Sequence, residues 1–316
     1  MASEVHLVTI ADDDGVEPTW WAGTVDLLDH LEARWSRFLP TSDVSRLNLA
    51  CGQPVQVDPA TVTLVTTMIE AWRATGHRFD PTTLPALVAA GYVASIDDPR
   101  CVTILPSGRV HVGGFDEADP TLDDIDVDVA ANTVRLPVGL AIDPGGIGKG
   151  LAADLAVAHA LRSGAAGSMI SIGGDISMGG RAPEGGWIVH VEHPDRDRRL
   201  IGSLAVSSGG VATSSIRSRR WRHDGDERHH VIDPSSGAPS GTDLSAVTVI
   251  ARSGWLAEAH ATGAILAGSA HVIEYLDVRE LSGLAVTADG RVVTTGDLRA
   301  IDGDPAVAST AMGASS

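Results

Sequence analysis

One glycine-rich stretch, Asp143-Pro-Gly-Gly-Ile-Gly-Lys149-Gly150, constrains this chain more than any other. Of 23 lysine and arginine residues, Lys149 is the only lysine. Upstream, Val138–Ile142 reads as a short buried strand. Downstream, Leu151–Leu161 reads as a helix stopped by Gly164. Strand, glycine turn and helix in that order leave backbone N–H groups free at the helix start. Such a site favours an anion, and a lysine beside it adds positive charge. The P-loop pattern G-x-x-x-x-G-K-[ST] does not fit, because Asp143 stands in place of the first glycine and Gly150 in place of the hydroxyl. The plainer reading is a glycine turn with a solvated lysine.

The surrounding chain narrows the possibilities. A formal net charge of −18 argues against nucleic acid and anionic membranes as partners, while leaving room for a local basic pocket. Cys51 and Cys101 form neither a disulfide framework nor a metal-ligand pattern. The N-terminal residues lack the basic–apolar–small order of a signal peptide, and no long apolar run occurs. A soluble, cytoplasmic protein is expected. Without an internal repeat or linker, residues 1–304 read as a single domain and 305–316 as a flexible tail.

Periodicity assigns the elements. Val5–Ile10 alternates as a strand, and Asp12–Gly15 reads as a turn. Leu27, Leu28, Leu31 and Trp35 place a helix over Thr24–Phe38. Ser42–Asn48 reads as a capped turn or short helix. Asp58 caps a helix with Pro59 at its first position, and Gly76 ends it. His77–Pro85 reads as a loop. Ile125–Val129 and Asn132–Leu136 form a strand pair. Ser168–Ile172 ends in the Gly173-Gly174-Asp175 turn. Trp187–Val191, Leu200–Val206 and Leu244–Ala251 are further strands. Trp255–Ala267 is a helix on which Glu258 and Thr262 share a face, Glu274–Arg279 is helical, and Leu284–Thr287 pairs with Arg291–Thr295 as a hairpin. Helices interleaved with hairpins indicate an α+β fold with mostly antiparallel sheets.

Several polar clusters fall at strand or helix ends, where functional groups concentrate. Each has a plain alternative. Asp80 and Asp233 in Asp-Pro turns are ordinarily turn formers, Gly-Gly-Asp is ordinarily tight geometry, His229-His230 is ordinarily structural, and Thr213-Ser214 is ordinarily a local hydrogen-bonding pair.

Taken in order, these clusters resemble those of the FAD:protein FMN transferases, the ApbE-type flavin transferases. The resemblance rests on Ser36-x-Phe-x-Pro-x-Ser42 with Ser45-Arg-Leu-Asn48, on Gly76-His-Arg-Phe-Asp80-Pro-Thr, and on Ile142-Asp-Pro-Gly-Gly-Ile-Gly-Lys-Gly150 with Asp154. Ile172-Gly-Gly-Asp175, Ala212-Thr-Ser214, His229-His-Val-Ile-Asp-Pro-Ser-Ser-Gly237 and Ala257-Glu-Ala-His-Ala-Thr262 complete it. It spans residues 20–300.

The resemblance implies an ApbE-like (T-fold-like) architecture with the FAD site between two halves. It implies Mg²⁺-dependent transfer of FMN from FAD to a Thr or Ser hydroxyl of a target flavoprotein, with AMP leaving. Phe38 falls at the family's aromatic position, suited to stacking on the isoalloxazine ring. Arg78, Phe79, Asp80, Asp143 and Lys149 fall where the family contacts FAD, as do Gly174, Asp175, Thr213, Ser214 and Ile232. The Gly146 carbonyl, Glu258 and Thr262 match the Mg²⁺ ligands, and His230 matches the general base. An imidazole with an ordinary pKa of about 6.5 suits that role at neutral pH. There are departures from the family pattern. Glu258 stands where Asp is typical, Thr213-Ser214-Ser215 stands for Thr-Ser-Gly, and the lipobox cysteine of many exported relatives is missing. Two alternatives use the same residues: an FAD pyrophosphatase yielding FMN and AMP, and a non-catalytic FAD-binding protein.

Overall fold

Leu244–Ala251 is buried at every position and forms an inner strand of a seven-stranded antiparallel sheet. The sheet order is Val5–Ile10, Gly167–Ile172, Asp175–Gly180, Gly209–Ser215, Leu244–Ala251, Ser282–Thr287 and Val292–Thr294. The computed structural model describes residues 4–11, 20–95, 98–106, 119–194, 199–296, 298 and 307–310. The turn expected at Asp12–Gly15 lies outside them. The described chain divides into two compact units: residues 29–148 with 219–241, and residues 3–28, 149–218 and 242–316, with residues 1–2 assigned to the first.

The sheet belongs to the second unit, and strand alternation explains how both its faces are covered. On one face, Met178, Val211, Ile250, Leu284 and Val286 pack against Trp187, Val189, Val191, Leu204 and Val206 of a smaller sheet. Trp187–Glu192 alternates buried and exposed residue by residue, as a strand with one wet face must. Each fully buried Val or Leu contributes about 1.5–3 kcal/mol relative to exposure. Of the segment 305–316 only Val307–Thr310 is described, as a strand parallel to Leu200–Val206. On the other face, Ala212 and Ala251 meet Leu256 and Ala257 of the helix Gly254–Ile265. That helix is alanine-rich and buried almost all round, so even its polar members Glu258 and His260 are enclosed. Among the described residues, no helix is long and apolar enough to cross a membrane.

The first unit is built on the helices Trp20–Trp35, which enters it from the second unit, Asp43–Leu49 and Pro59–Ala74. Ser42 caps the short helix by accepting the Ser45 N–H, and Asp58 caps the long one by accepting that of Ala60. The strands Asp126–Asp128 and Thr133–Arg135 pair as expected. Two expectations are corrected. Leu84–Ala89, which overlaps the end of the loop expected over His77–Pro85, is a helix following the 3₁₀ turn Pro81–Thr83. Val138–Ile142 is not a strand. Pro137 and Gly139 (φ 90°) turn the chain there. The backbone of Ile142 finds its partner in a side chain instead: Asn48 Nδ2 donates to the Ile142 carbonyl at 2.9 Å, and Ile142 N–H donates to Asn48 Oδ1 at 2.8 Å. A buried amide thus takes the place of a neighbouring strand.

Candidate active site

The lysine helix runs over Gly148–Arg162, starting at Gly148 rather than Leu151, so Lys149 lies in its first turn. Its ammonium is enclosed between two carboxylates of the second unit. Lys149 Nζ is 2.7 Å from Asp175 Oδ2 and is also hydrogen-bonded to Glu258 Oε1. The side chains of Asp175 and Glu258 are each only 5% exposed, and that of Lys149 17%. Glu258 Oε2 accepts the N–H of Gly150 at 2.8 Å. The helix start therefore does hold an anion, and that anion is the chain's own carboxylate.

The electrostatics follow from one cation shared by two buried carboxylates. Burial opposes the ammonium, but Asp175 and Glu258 outweigh it and hold Lys149 protonated, its pKa raised. Burial pushes the Glu258 carboxyl up to about 7 against the attraction of Lys149, and the charge of Asp175 adds to the rise.

Two glycines allow the close approach this requires. A Cβ on Gly150 would lie 2.4 Å from the Gly254 carbonyl oxygen, and one on Gly254 would lie 2.8 Å from that of Gly150. This explains why a glycine occupies the position that a P-loop gives to a hydroxyl: the backbone of a second helix fills the space.

Asp175 is aimed by the hairpin before it. Gly173 (φ 58°) and Gly174 (φ 91°) form its two-residue turn, both with the positive φ that favours glycine. Thr262, one helical turn after Glu258, has its Oγ1 at 3.1 Å from Ser214 Oγ and 3.3 Å from the Glu258 carbonyl. Thr213, on the adjoining strand residue, is exposed and pairs its hydroxyl with that of Thr248 at 2.8 Å. Lys149, Asp175, Glu258, Thr262 and Ser214 thus form one connected set, with Thr213 turned to the other side of its strand.

The remaining expected residues lie in the first unit. Asp143 accepts the N–H of Gly145 at 3.0 Å, which makes Pro144–Gly146 a capped 3₁₀ turn, and pairs with Arg37 Nε at 3.2 Å. Gly146 is half-buried at the end of that turn. Asp80 caps the preceding 3₁₀ turn through the N–H and hydroxyl of Thr82 at 2.8 and 2.6 Å, and the two turns are joined where Asp143 N–H donates to the Pro81 carbonyl. Phe79 is buried and Arg78 exposed. Ile232 is buried against Ala86 and Leu87. His230 is half-buried between the strand pairs Arg220–His229 and Ile232–Pro239. Its neighbour His229 bonds the Ser240 carbonyl at 3.0 Å, and burial lowers its pKa.

Sequence reasoning passed over Arg37, Tyr92 and Trp221. Arg37 is 5% exposed, and its guanidinium lies 4.2 Å from the Phe38 ring centroid and 4.9 Å from that of Tyr92. Tyr92 meets Phe38 edge-on and stacks with Trp221 at 5.2 Å. Phe38 therefore sits in an aromatic–arginine cluster. Tyr92 and Trp221 carry no motif that would reveal it, whereas Arg37 fills an unassigned position of the Ser36–Ser42 run.

A sequence model of the ApbE family matches residues 1–287. An FAD:protein FMN transferase of Vibrio cholerae is 26% identical over 274 residues, covering 84% of this chain and 78% of that protein. One from Klebsiella pneumoniae is 34% identical over 113 residues, covering 35% of this chain and 34% of that protein. The latter match thus spans about a third of its relative's length, and one in Escherichia coli spans 44%. Among solved structures, the ApbE protein of Thermotoga maritima superposes with a TM-score of 0.77 at 24% identity, covering 95% of this chain and 100% of that one. The apo flavinyl transferase ApbE of Pseudomonas stutzeri gives 0.73 at 21%, covering 95% and 97%. The fold is the one these structures share, and with nine-tenths of its length matched by the family's own pattern, the chain belongs to the ApbE family.

Proposed function

We propose that this protein transfers FMN from FAD to a Thr or Ser hydroxyl of a target flavoprotein, releasing AMP, with the help of Mg²⁺. One observation carries the reading: a buried ammonium held between two carboxylates at a glycine-rich helix start, in a chain of the ApbE family. In the reaction, the acceptor hydroxyl oxygen bonds to the phosphorus on the riboflavin side of FAD. The bond from that phosphorus to the bridging oxygen breaks, and AMP leaves with the bridging oxygen. His230 takes the hydroxyl proton. Phosphoryl transfer asks the protein chiefly for positioning and charge neutralisation.

The donor set suits a hard cation. Glu258 and Asp175 supply carboxylate oxygens and Thr262 and Ser214 hydroxyl oxygens, the ligand type Mg²⁺ takes. The Lys149 ammonium already shows that the two carboxylates accept a positive charge between them. Among the described residues no group of three or more His, Cys, Asp or Glu side chains is placed to hold a metal ion, so hydroxyl, carbonyl and water oxygens would complete such a site. Glu258, Thr262 and the Gly146 carbonyl would hold the ion, which would neutralise charge on the pyrophosphate oxygens. Lys149 and Asp175 set the local charge. Phe38, Arg78, Phe79, Asp80, Asp143, Gly174, Thr213, Ser214 and Ile232 are proposed to bind FAD.

The test is mass spectrometry of a candidate Thr-bearing flavoprotein after incubation with this protein, FAD and Mg²⁺. A mass gain equal to FMN, matched by AMP, is expected. Multiple-turnover AMP release without any acceptor, and no mass gain with one, would replace the transferase reading by the FAD pyrophosphatase.

A further inference from the structure

The lysine helix and the carboxylate helix Gly254–Ile265 cap one another. Gly150 N–H donates to Glu258 Oε2 at 2.8 Å, and Gly254 N–H donates to Asp154 Oδ1 at 2.8 Å. In each helix the carboxylate lies four residues beyond the glycine, hence one turn along the same face. The arrangement is reciprocal: each helix offers its first-turn N–H to an acid one turn inside the other. Where they cross, the two glycine backbones touch.

The two acids are used differently. Asp154 spends both oxygens on structure. Besides Gly254 N–H it accepts Trp255 N–H at 3.0 Å and the Ser177 hydroxyl at 2.6 Å. Glu258 accepts one N–H and has its other oxygen on Lys149. The carboxylate helix has no cap of its own. Ser253 stands at the N-cap with an extended backbone, makes no side-chain cap bond, and leaves its hydroxyl buried without a hydrogen-bond partner. That helix start therefore depends on Asp154 for its cap, a role normally filled by the N-cap residue itself.

We infer that Asp154 is a positioning residue that clamps the start of the carboxylate helix to the lysine helix and thereby sets where Glu258 and Thr262 stand. It acts through its hydrogen bonds to the backbone of Gly254 and Trp255. Glu258 follows these residues within one turn of a helix that is packed on nearly every side, so a shift of the helix start is passed on to its carboxylate. The metal part of the test rests on the proposed role of Glu258 and Thr262 in holding a cation.

The experiment uses the full chain, with Mn²⁺ as the probe in the absence of FAD and calorimetry as the measurement. Asp154→Ala removes the clamp. Asp154→Asn retains one acceptor and sets an amide N–H₂ against the other donor. Loss of an outer-shell partner typically weakens metal affinity by ~10–100-fold. That range is expected for Asp154→Ala, with Asp154→Asn between it and the parent, both measured where circular dichroism shows the variants folded. If Asp154→Ala does not fold, Asp154→Asn is compared alone and an at least ~3-fold weakening is expected, a partial loss by the same rule. A folded variant that melts earlier but binds Mn²⁺ as the parent does would reduce Asp154 to a merely structural cap and overturn the inference.

A parent that binds no Mn²⁺ would instead sink the cation reading, and a metal-free double-mutant cycle would then decide for Asp154. The cycle combines Asp154→Asn with Glu258→Gln, read by urea unfolding. Side chains acting through one another depart from additivity by more than about 2-fold in the unfolding constant, whereas independent ones add to within about 2-fold. Additive effects would overturn the assignment, and coupled ones would support it.

Discussion

Replacing Lys149 by Met tests the centre of the site most directly. The side chain of Lys149 is 17% exposed, and its ammonium bridges two carboxylates that are each 5% exposed. Methionine fills much of the same volume without charge, so Asp175 and Glu258 lose their shared counter-ion. Removing one member of a buried ion pair costs about 3–5 kcal/mol. The residual exposure of Lys149 puts the expectation at the lower end, about 3 kcal/mol at pH 7.5. The loss depends on pH with a definite sign. In the parent, burial already pushes Glu258 up to about 7. Without the ammonium, which holds it down, the Glu258 carboxyl rises further above its unfolded value. A carboxyl with a raised folded pKa favours folding at low pH and disfavours it as pH climbs through that value, so the gap between variant and parent narrows from pH 7.5 to pH 5. The assay is urea unfolding of both proteins in EDTA at the two pH values, then with Mn²⁺ at pH 7.5. Mn²⁺ should stabilise Lys149→Met more than the parent, because the ammonium no longer competes for the carboxylates, and FAD binding by the variant should weaken. A variant within about 0.5 kcal/mol of the parent at pH 7.5, the range of a neutral surface change, would refute the enclosed-ammonium reasoning.

Two further outcomes are expected. His230→Ala should bind FAD nearly as the parent does and lose FMN transfer by about 10²–10⁴-fold, the usual loss on removing a general base. Equal transfer rates for the two proteins would take His230 out of the mechanism. His260 lies inside the carboxylate helix with Nδ1 at 2.9 Å from the Tyr275 hydroxyl, and burial, helped by Arg279 and Arg252, lowers its pKa from 6.5 to about 4. The unfolded chain therefore takes up this proton first, and stability relative to His260→Gln should fall by up to about 3 kcal/mol as pH drops from 6.5 to 4 in EDTA. A difference that stays flat over that interval would show that His260 is not held neutral.

What the sequence made legible follows from the range of the forces involved. Leu244–Ala251 was readable because its β-branched run is local, and Asp58-Pro59 because a cap and its helix are adjacent in sequence. Val138–Ile142 was misread because its apolar run looks like a strand, while the partner that satisfies its backbone is the Asn48 side chain, 94 residues earlier. No local pattern records that bond. The strand Asp175–Gly180 and the hairpin Arg220–His229 were passed over for a related reason. Their glycine or arginine content hides alternation that only the pairing reveals. At the site, motif order brought Lys149, Asp175, Glu258, Thr262 and Ser214 to notice, and the structure joins these five. The buried Arg37 under Phe38 escaped because an arginine between two motif residues reads as solvated surface.

The departure Glu258 has its physical counterpart in the same structure. In the reciprocal caps, the aspartate Asp154 reaches two backbone N–H groups at the other helix's start. The glutamate Glu258, longer by one C–C bond of roughly 1.5 Å, reaches one N–H and extends to the Lys149 ammonium. An aspartate at 258 on this backbone would have to give up either Gly150 N–H or Lys149. The extra methylene therefore lets one carboxylate serve both, closing the helix start and neutralising the only lysine. The glycine turn was expected to offer free N–H groups and a free positive charge to a phosphate. In this chain the Gly150 N–H and the Lys149 ammonium are already engaged by Glu258, so a phosphate reaching them competes with an internal carboxylate. The strength of that competition depends on protonation of Glu258. With its carboxyl raised to about 7 by burial, its hold on Lys149 weakens as the pH falls below neutrality.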